Sequence, residues 1–207
     1  MSFWREPGAL VTWCEDKYVL SPLVSEFHSM WSNIIYLIVP IFIKNLRLDA
    51  YILTMGVGSI LFHGSDRYYF QLMDEIPMIL VTTEFFNMYH NRTPLTRKWW
   101  FYTLLYMSTI WSTILYVFLG FYKLFVTVFT CHILLLQTIG FEATRSLPAA
   151  RNNYYKAFVC MGVGKISWEI EQRYCDKNPD LYVLHGLWHF LSGISIYLLY
   201  LSIRSLN

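Results

Sequence analysis

His185 and His189 are four residues apart, so on a helix the two imidazoles lie one turn apart on the same face. That spacing suits two ligands to one metal ion. An isolated pair of this kind can equally cap a helix end and make a routine hydrogen bond. This pair, however, lies in an apolar run over residues 181–203 that contains no Asp, Glu, Lys or Arg. A run of that length reads as a membrane span, and ionisable groups inside spans are costly and usually functional. Further up the chain His63 closes a second apolar stretch, Ser59 stands one turn before it, and Asp74 opens a third stretch. Three imidazoles with an open fourth position form a catalytic zinc arrangement. Zinc acidifies a bound water and polarises a carbonyl. A carboxylate such as Asp74 can take that water's proton and pass it to a leaving group. A hydroxyl such as that of Ser59 can stabilise the oxyanion that forms. The competing reading has these as unrelated polar residues at interfacial helix ends.

Which reading holds depends on the elements that carry the residues. Of the 207 residues 56% are hydrophobic and 14% charged, against about 25% charged in ordinary soluble domains. A soluble core cannot use that much apolar surface, so an integral membrane protein is expected. The formal net charge of +2 argues for no nucleic-acid partner. Residues 1–13 lack a basic start followed by an apolar stretch, so no cleavable signal is expected. The pattern divides into an interfacial segment, residues 1–23, and an all-α bundle, residues 24–203, read as one domain over 1–207 with seven transmembrane helices. The spans fall at residues 24–43, 50–63, 70–89, 99–122, 124–141, 155–168 and 181–203, and residues 142–156 are expected to form the longest loop.

Seven spans put the termini on opposite sides. The N-terminal side carries Arg5, Lys17, Arg67, Lys123, Arg173 and Lys177, six basic residues against nine on the other side. The more basic side is usually cytosolic, so the C-terminus is placed in the cytosol and the N-terminus in the lumen or outside. In that topology His63, Asp74, His185 and His189 all fall at the N-terminal face, with Ser59 one turn from His63. Three further intramembrane charges are present: Lys165 and Glu169, four apart and able to pair, and Glu84, for which Lys165 is a candidate partner across the bundle. Such a set can satisfy itself or form a polar relay. Cys131 and Cys160, inside spans, read as buried thiols.

The motifs now resemble a known family. Gly56-Val57-Gly58-Ser59-Ile60-Leu61-Phe62-His63, followed by Gln71-Leu72-Met73-Asp74-Glu75-Ile76-Pro77-Met78, is similar to the alkaline ceramidases. So are Trp13-Cys14-Glu15, Ser25-Glu26-Phe27, Ser32-Asn33, Arg173-Tyr174-Cys175 and Leu184-His185-Gly186-Leu187-Trp188-His189. The likeness covers nearly the whole chain and keeps the family's order. It implies a seven-helix membrane amidase, related to the adiponectin receptors, that cuts ceramide into a sphingoid base and a fatty acid. His63, His185 and His189 would hold zinc, Asp74 would be the acid/base, and Ser59 the oxyanion-side hydroxyl. The partners implied are ceramide or a related lipid and the surrounding membrane lipids, in the endoplasmic reticulum or Golgi.

The resemblance also implies a Cys14–Cys175 disulfide, which fits an oxidising luminal face. It further implies a calcium site built from an Asp-Trp-x-Glu-x-Asn segment and a later Glu. Here the segment reads Thr12-Trp13-Cys14-Glu15-Asp16-Lys17, with Glu26 later. Two oxygen ligands are missing, and calcium needs about six to eight. The Trp13 carbonyl, Glu15 and Glu26 remain, but Lys17 brings its own positive charge, so it is expected to pair with Glu15 and Glu26 in place of calcium. Three alternatives stand beside the ceramidase reading. One is a hydrolase of another lipid amide or ester. Another is a receptor or scaffold with a closed, non-catalytic zinc. The last is a transporter lined by Glu84, Lys165 and Asp74, which should show matching broken helices in internal repeats.

Overall fold

The computed structural model describes residues 8–206, and within them the chain is helical without a strand. Residues 1–7 and 207, with Arg5 of the charge count and the start of the N-terminal segment, lie outside the described residues. The elements are α1 (Phe27–Ser32), α2 (Ile34–Ile38), α3 (Leu46–Ser65), α4 (Tyr68–Met88), α5 (Trp99–Leu119), α6 (Tyr122–Thr144), α7 (Pro148–Tyr174) and α8 (Val183–Arg204). Among the described residues, three helices are long and apolar enough to cross a membrane: Trp99–Leu119, Tyr122–Thr144 and Pro179–Arg204. Large apolar side chains line the outside of the bundle, among them Trp99, Leu104 and Phe118 on α5 and Val159 and Ile166 on α7. Apolar exposure on that scale marks a surface that meets something other than water.

Two differences from the sequence reading stand out. The segment expected as one span over residues 24–43 begins at Phe27, breaks at Asn33, and ends in a 3₁₀ turn, Val39–Phe42, with Pro40 near its start. Proline has no N–H to continue an α-helical ladder. The expected long loop over 142–156 is also overturned: α6 runs to Thr144 and α7 starts at Pro148, a proline in the first turn where its missing N–H costs nothing. The stretch expected as the sixth span is instead part of a continuous 27-residue helix. Its charges hid that length: Arg151, Lys156 and Arg173 are exposed and Glu169 half-exposed, while Glu171 turns inward.

Three local features set the packing around the site. Asn45 caps α3, its side chain accepting from the N–H groups of Arg47 and Leu48 at 3.1 Å. Asp66, at φ 58°, turns the chain straight from α3 into α4, a conformation Asp tolerates better than most residues. The two helices then run back close together: a Cβ on Gly58 would come within 2.7 Å of the Asp74 backbone nitrogen. Only glycine permits that approach, and it brings the His63 end of α3 against the Asp74 end of α4. On the other side α7 and α8 pack along their length, with the rings of Trp168 and Trp188 stacked at 5.6 Å. Among the described residues, the N-terminal segment from Gly8 onward has no helix and lies across this end of the bundle. Gly8 N–H donates to the Asp66 carbonyl at 3.1 Å, and Leu10 N–H donates to Gln71 Oε1 at 2.8 Å.

Candidate active site

His63 sits in the last turn of α3, and His185 and His189 in the first two turns of α8. All three are buried, and one ligand atom from each lies within 4.8 Å of the others. Each ring is aimed by a partner on its far nitrogen. Glu26 Oε2 lies 2.6 Å from His63 Nδ1, and Glu171 Oε2 lies 2.9 Å from His185 Nδ1. With the carboxylates accepting, both Nδ1 atoms carry the proton, the tautomer that suits a metal ligand. Ser32 Oγ spends its one proton on the Ser29 carbonyl at 2.7 Å, so it accepts from His189 Nδ1 at 2.6 Å. The three Nε2 atoms are thus left with lone pairs, and those of His63 and His185 face each other at 3.2 Å. Two lone pairs at that distance repel unless a cation sits between them. Acceptors holding the outer nitrogens of an imidazole cluster are the usual supports of metal ligands. The donor set therefore fits a metal ion, and no fourth His, Cys, Asp or Glu joins the group among the described residues.

Asp74 lies beside the cluster. With Glu75, His185, His189, Trp13, Tyr36 and Trp188 it lines a cavity of about 20 Å³, room for one water. Ser59 is fully buried, and its Oγ has no hydrogen-bond partner at normal distance, although the Asp74 carboxyl is near enough to interact with it. A second cavity of about 40 Å³, almost entirely apolar, adjoins the first; Tyr36, Met55, Met78 and Trp188 line both. Trp13 packs its ring on that of His185 at 4.1 Å.

The N-terminal segment is joined to this end of the bundle by a Cys14–Cys175 disulfide, with Cα atoms 5.2 Å apart. Cys14 N–H donates to Glu171 Oε1 at 3.2 Å, so the same carboxylate ties the segment to His185. The acids read earlier as a cation shell divide differently. Glu15 caps α1, accepting from the N–H groups of His28 and Ser29 at 2.6 and 2.8 Å and from Ser29 Oγ at 2.8 Å. Lys17 pairs with Asp66, and its ammonium is 3.9 Å from Glu26. The expected Lys17–Glu15 pair does not form, because two backbone N–H groups already hold Glu15. Of the two further residues that aim the rings, Ser32 entered the sequence reading only as part of a motif and Glu171 not at all. Glu171 was hidden by Glu169 and Arg173 beside it, which give that turn a solvent-exposed look.

The remaining polar residues stay apart from this centre. Glu84 accepts from Asn87 on its own helix at 3.2 Å and not from Lys165, which pairs with Glu169 at 2.7 Å. The two cysteines expected to be buried are not: Cys131 is exposed and Cys160 half-buried. Each lies on the outward face of its helix.

An apolar helical bundle that gathers three imidazoles at one end defines a class, that of helical proteins with a buried site for a metal ion. The comparisons narrow it. The sequence model of the ceramidase family matches residues 5–207. An alkaline ceramidase of Saccharomyces cerevisiae is 28% identical over 99% of this chain and 78% of its own length. Alkaline ceramidase 3 of Mus musculus is 28% identical over 95% of this chain and 83% of its own. A putative alkaline ceramidase of Dictyostelium discoideum is 28% identical over 92% and 84%. The chain belongs to the ceramidase family, a family of amide hydrolases.

Proposed function

We propose that this chain is a zinc-dependent hydrolase of the ceramide amide bond, releasing a sphingoid base and a fatty acid within the membrane. The observation that carries the reading is the set of three imidazoles whose outer nitrogens are all occupied, leaving three lone pairs turned to one point beside Asp74. The open fourth position favours turnover over a closed, structural site. Zinc bound there supplies Lewis acidity, polarising the amide carbonyl and acidifying a water. His63, His185 and His189 hold it, and Glu26, Glu171 and Ser32 keep the rings aimed. Asp74 takes the proton from the attacking water and returns it to the amine nitrogen as the C–N bond breaks. Ser59 Oγ donates to the oxyanion at the former carbonyl. The adjoining apolar cavity receives the first carbons of the acyl chain, and the walls of both cavities exclude bulk water.

The same reading makes the bundle one domain of seven spans, with α1, α2 and the following 3₁₀ turn acting as the first. Its site end faces the lumen of the endoplasmic reticulum or Golgi. The disulfide at that end supports the placement, since such bonds persist in oxidising compartments. Lys17 takes the role a second cation would play, with Asp66 as its main partner and Glu26 close by. A calcium-selective chelator should then leave activity and Tm unchanged, whereas a loss reversed by calcium would refute that part. Incubating the purified protein with labelled ceramides tests the reading as a whole. Fatty acid should be released by the wild type and not by His189→Ala, which should also lose its zinc. Equal zinc in the two proteins, or no release by the wild type, would refute it.

A further inference from the structure

Glu75 follows Asp74 directly on α4 and is buried at 5% exposure. Successive helical residues point about 100° apart, which would normally separate the two carboxylates. Here both line the cavity next to His185 and His189. Glu75 is held from behind: the Tyr116 hydroxyl donates to Oε2, and Gln71 Nε2 lies 3.3 and 3.4 Å from the two oxygens. Both supports are themselves fixed. Gln71 Oε1 accepts from Leu10 N–H at 2.8 Å, and Tyr116 stacks on Phe125 at 4.8 Å. No Lys or Arg forms an ion pair with Glu75 among the described residues. A carboxylate offers about four acceptor sites, and these donors leave some of them open in a buried cavity. Each oxygen already has a donor, and the acceptor sites left over belong to a group that lines the cavity, where a ligand hydroxyl can use them.

We propose that Glu75 is a specificity-determining residue that accepts a hydrogen bond from a hydroxyl on the polar head of the lipid amide. The inference rests on the ceramidase reading above and adds the part of the substrate that the histidines and Asp74 do not sense. A ceramide carries two hydroxyls on carbons flanking the one that bears the amide nitrogen. A carboxylate that lines the same cavity as the residue that protonates that nitrogen can meet one of them. The apolar cavity takes the acyl side, so the head must lie on the polar side, where Glu75 stands. A site built to pair with a substrate hydroxyl discriminates strongly against an analogue lacking it, because its own group is then left unpaired. Hydrophobic contact alone gives far less discrimination.

The test compares kcat/KM for a ceramide with its 1-deoxy and 3-deoxy analogues, in the wild type and in Glu75→Gln. The wild type should favour the full ceramide over at least one analogue by about 10-fold or more, and Glu75→Gln should shrink that ratio to about 3-fold or less. Tyr116→Phe, which leaves the carboxylate but removes a support, should shrink it partway and serves if Glu75→Gln does not fold. An unchanged ratio, or a parallel loss on all three substrates, would overturn the proposal while leaving the ceramidase reading intact. A wild type that turns over none of the three would overturn that reading, and this proposal with it.

Discussion

Glu169 and Glu171 stand two residues apart on α7, on opposite faces of one turn. Glu169 faces outward and is held by its own helix, pairing with Lys165 at 2.7 Å and Arg173 at 3.2 Å, each one turn away. Glu171 is fully buried and is held by other parts of the chain, through the Cys14 N–H and the His185 ring. The contrast extends to the two faces as regions. On the outer face of α7, Lys165, Glu169 and Arg173 satisfy one another within a turn on either side. On the inner face, Glu26 reaches His63 and Ser32 reaches His189 across long stretches of chain. Local satisfaction costs the fold little and implies nothing. Satisfaction that orders distant segments has to offset the entropy of bringing them together, and these three contacts converge on the imidazoles.

Substitutions on the inner face test that convergence hardest. Asp74→Asn should keep the zinc and lower kcat by about 10²–10⁴-fold, since an amide still hydrogen-bonds but moves no proton. Zinc analysis alongside kinetics decides it, and activity near wild type with full zinc would mean that another group is the base. Cys14→Ser comes next. Releasing the N-terminal segment should cost roughly 2–5 kcal/mol of stability, read as a fall in Tm. Because Cys14 N–H also supports Glu171, zinc should leave more readily to a chelator. A Tm equal to that of the reduced wild type, with both lower than the oxidised protein, would attribute the effect to the bond itself. Glu171→Gln is milder. The amide oxygen can still accept from His185, but the negative charge behind the ring is gone, so zinc affinity should fall about 10–100-fold. Chelator competition measures it, and an unchanged affinity would make the inner-face carboxylate no different from the outer one.

The parts legible in the sequence were those fixed by period and by shared depth. The His185–His189 spacing is a property of any helix. His63, Asp74 and Ser59 could be brought beside the pair by counting spans, and the structure does place all five at one end. The ends of α4, α5 and α8 were likewise readable from apolar runs, each to within three residues, whereas those of α7 were not. Contacts set by packing were not. Nothing in the local pattern distinguishes Glu171 from Glu169, since both lie in a run of charges at the end of a weakly apolar helix. The break of the first span at Asn33 was hidden for a similar reason. Its residues are apolar on both sides, and the interruption follows from Ser29, Ser32 and Asn33 turning inward to the site. Glu15 illustrates a third limit: its oxygens suit a cation and a helix start equally well, and the backbone of α1 takes them.

The smallest effect belongs to the outer face. Glu169→Gln removes the centre of the Lys165–Glu169–Arg173 ladder, whose members are 11%, 33% and 71% exposed at the side chain. Exposed pairs one turn apart are worth about 0.3–0.5 kcal/mol each, and the amide of Gln still accepts a hydrogen bond from either partner. Lys165 keeps a second interaction, its ammonium lying 3.3 Å from the centre of the Trp168 ring, so it is not left as a bare charge. The variant should therefore lose less than about 1 kcal/mol and retain wild-type zinc and turnover. The informative comparison is with Glu171→Gln: the same chemical change, two residues away, in the same helix. If Glu169→Gln lowers zinc affinity as much as Glu171→Gln does, the charge acts through the field of α7 as a whole, and the distinction between the two faces fails. If only Glu171→Gln lowers it, the effect lies in the direct contact to His185. Raising the salt concentration separates the two further, since an exposed ladder is screened within about 10 Å at 0.1 M and a buried carboxylate–imidazole contact is not.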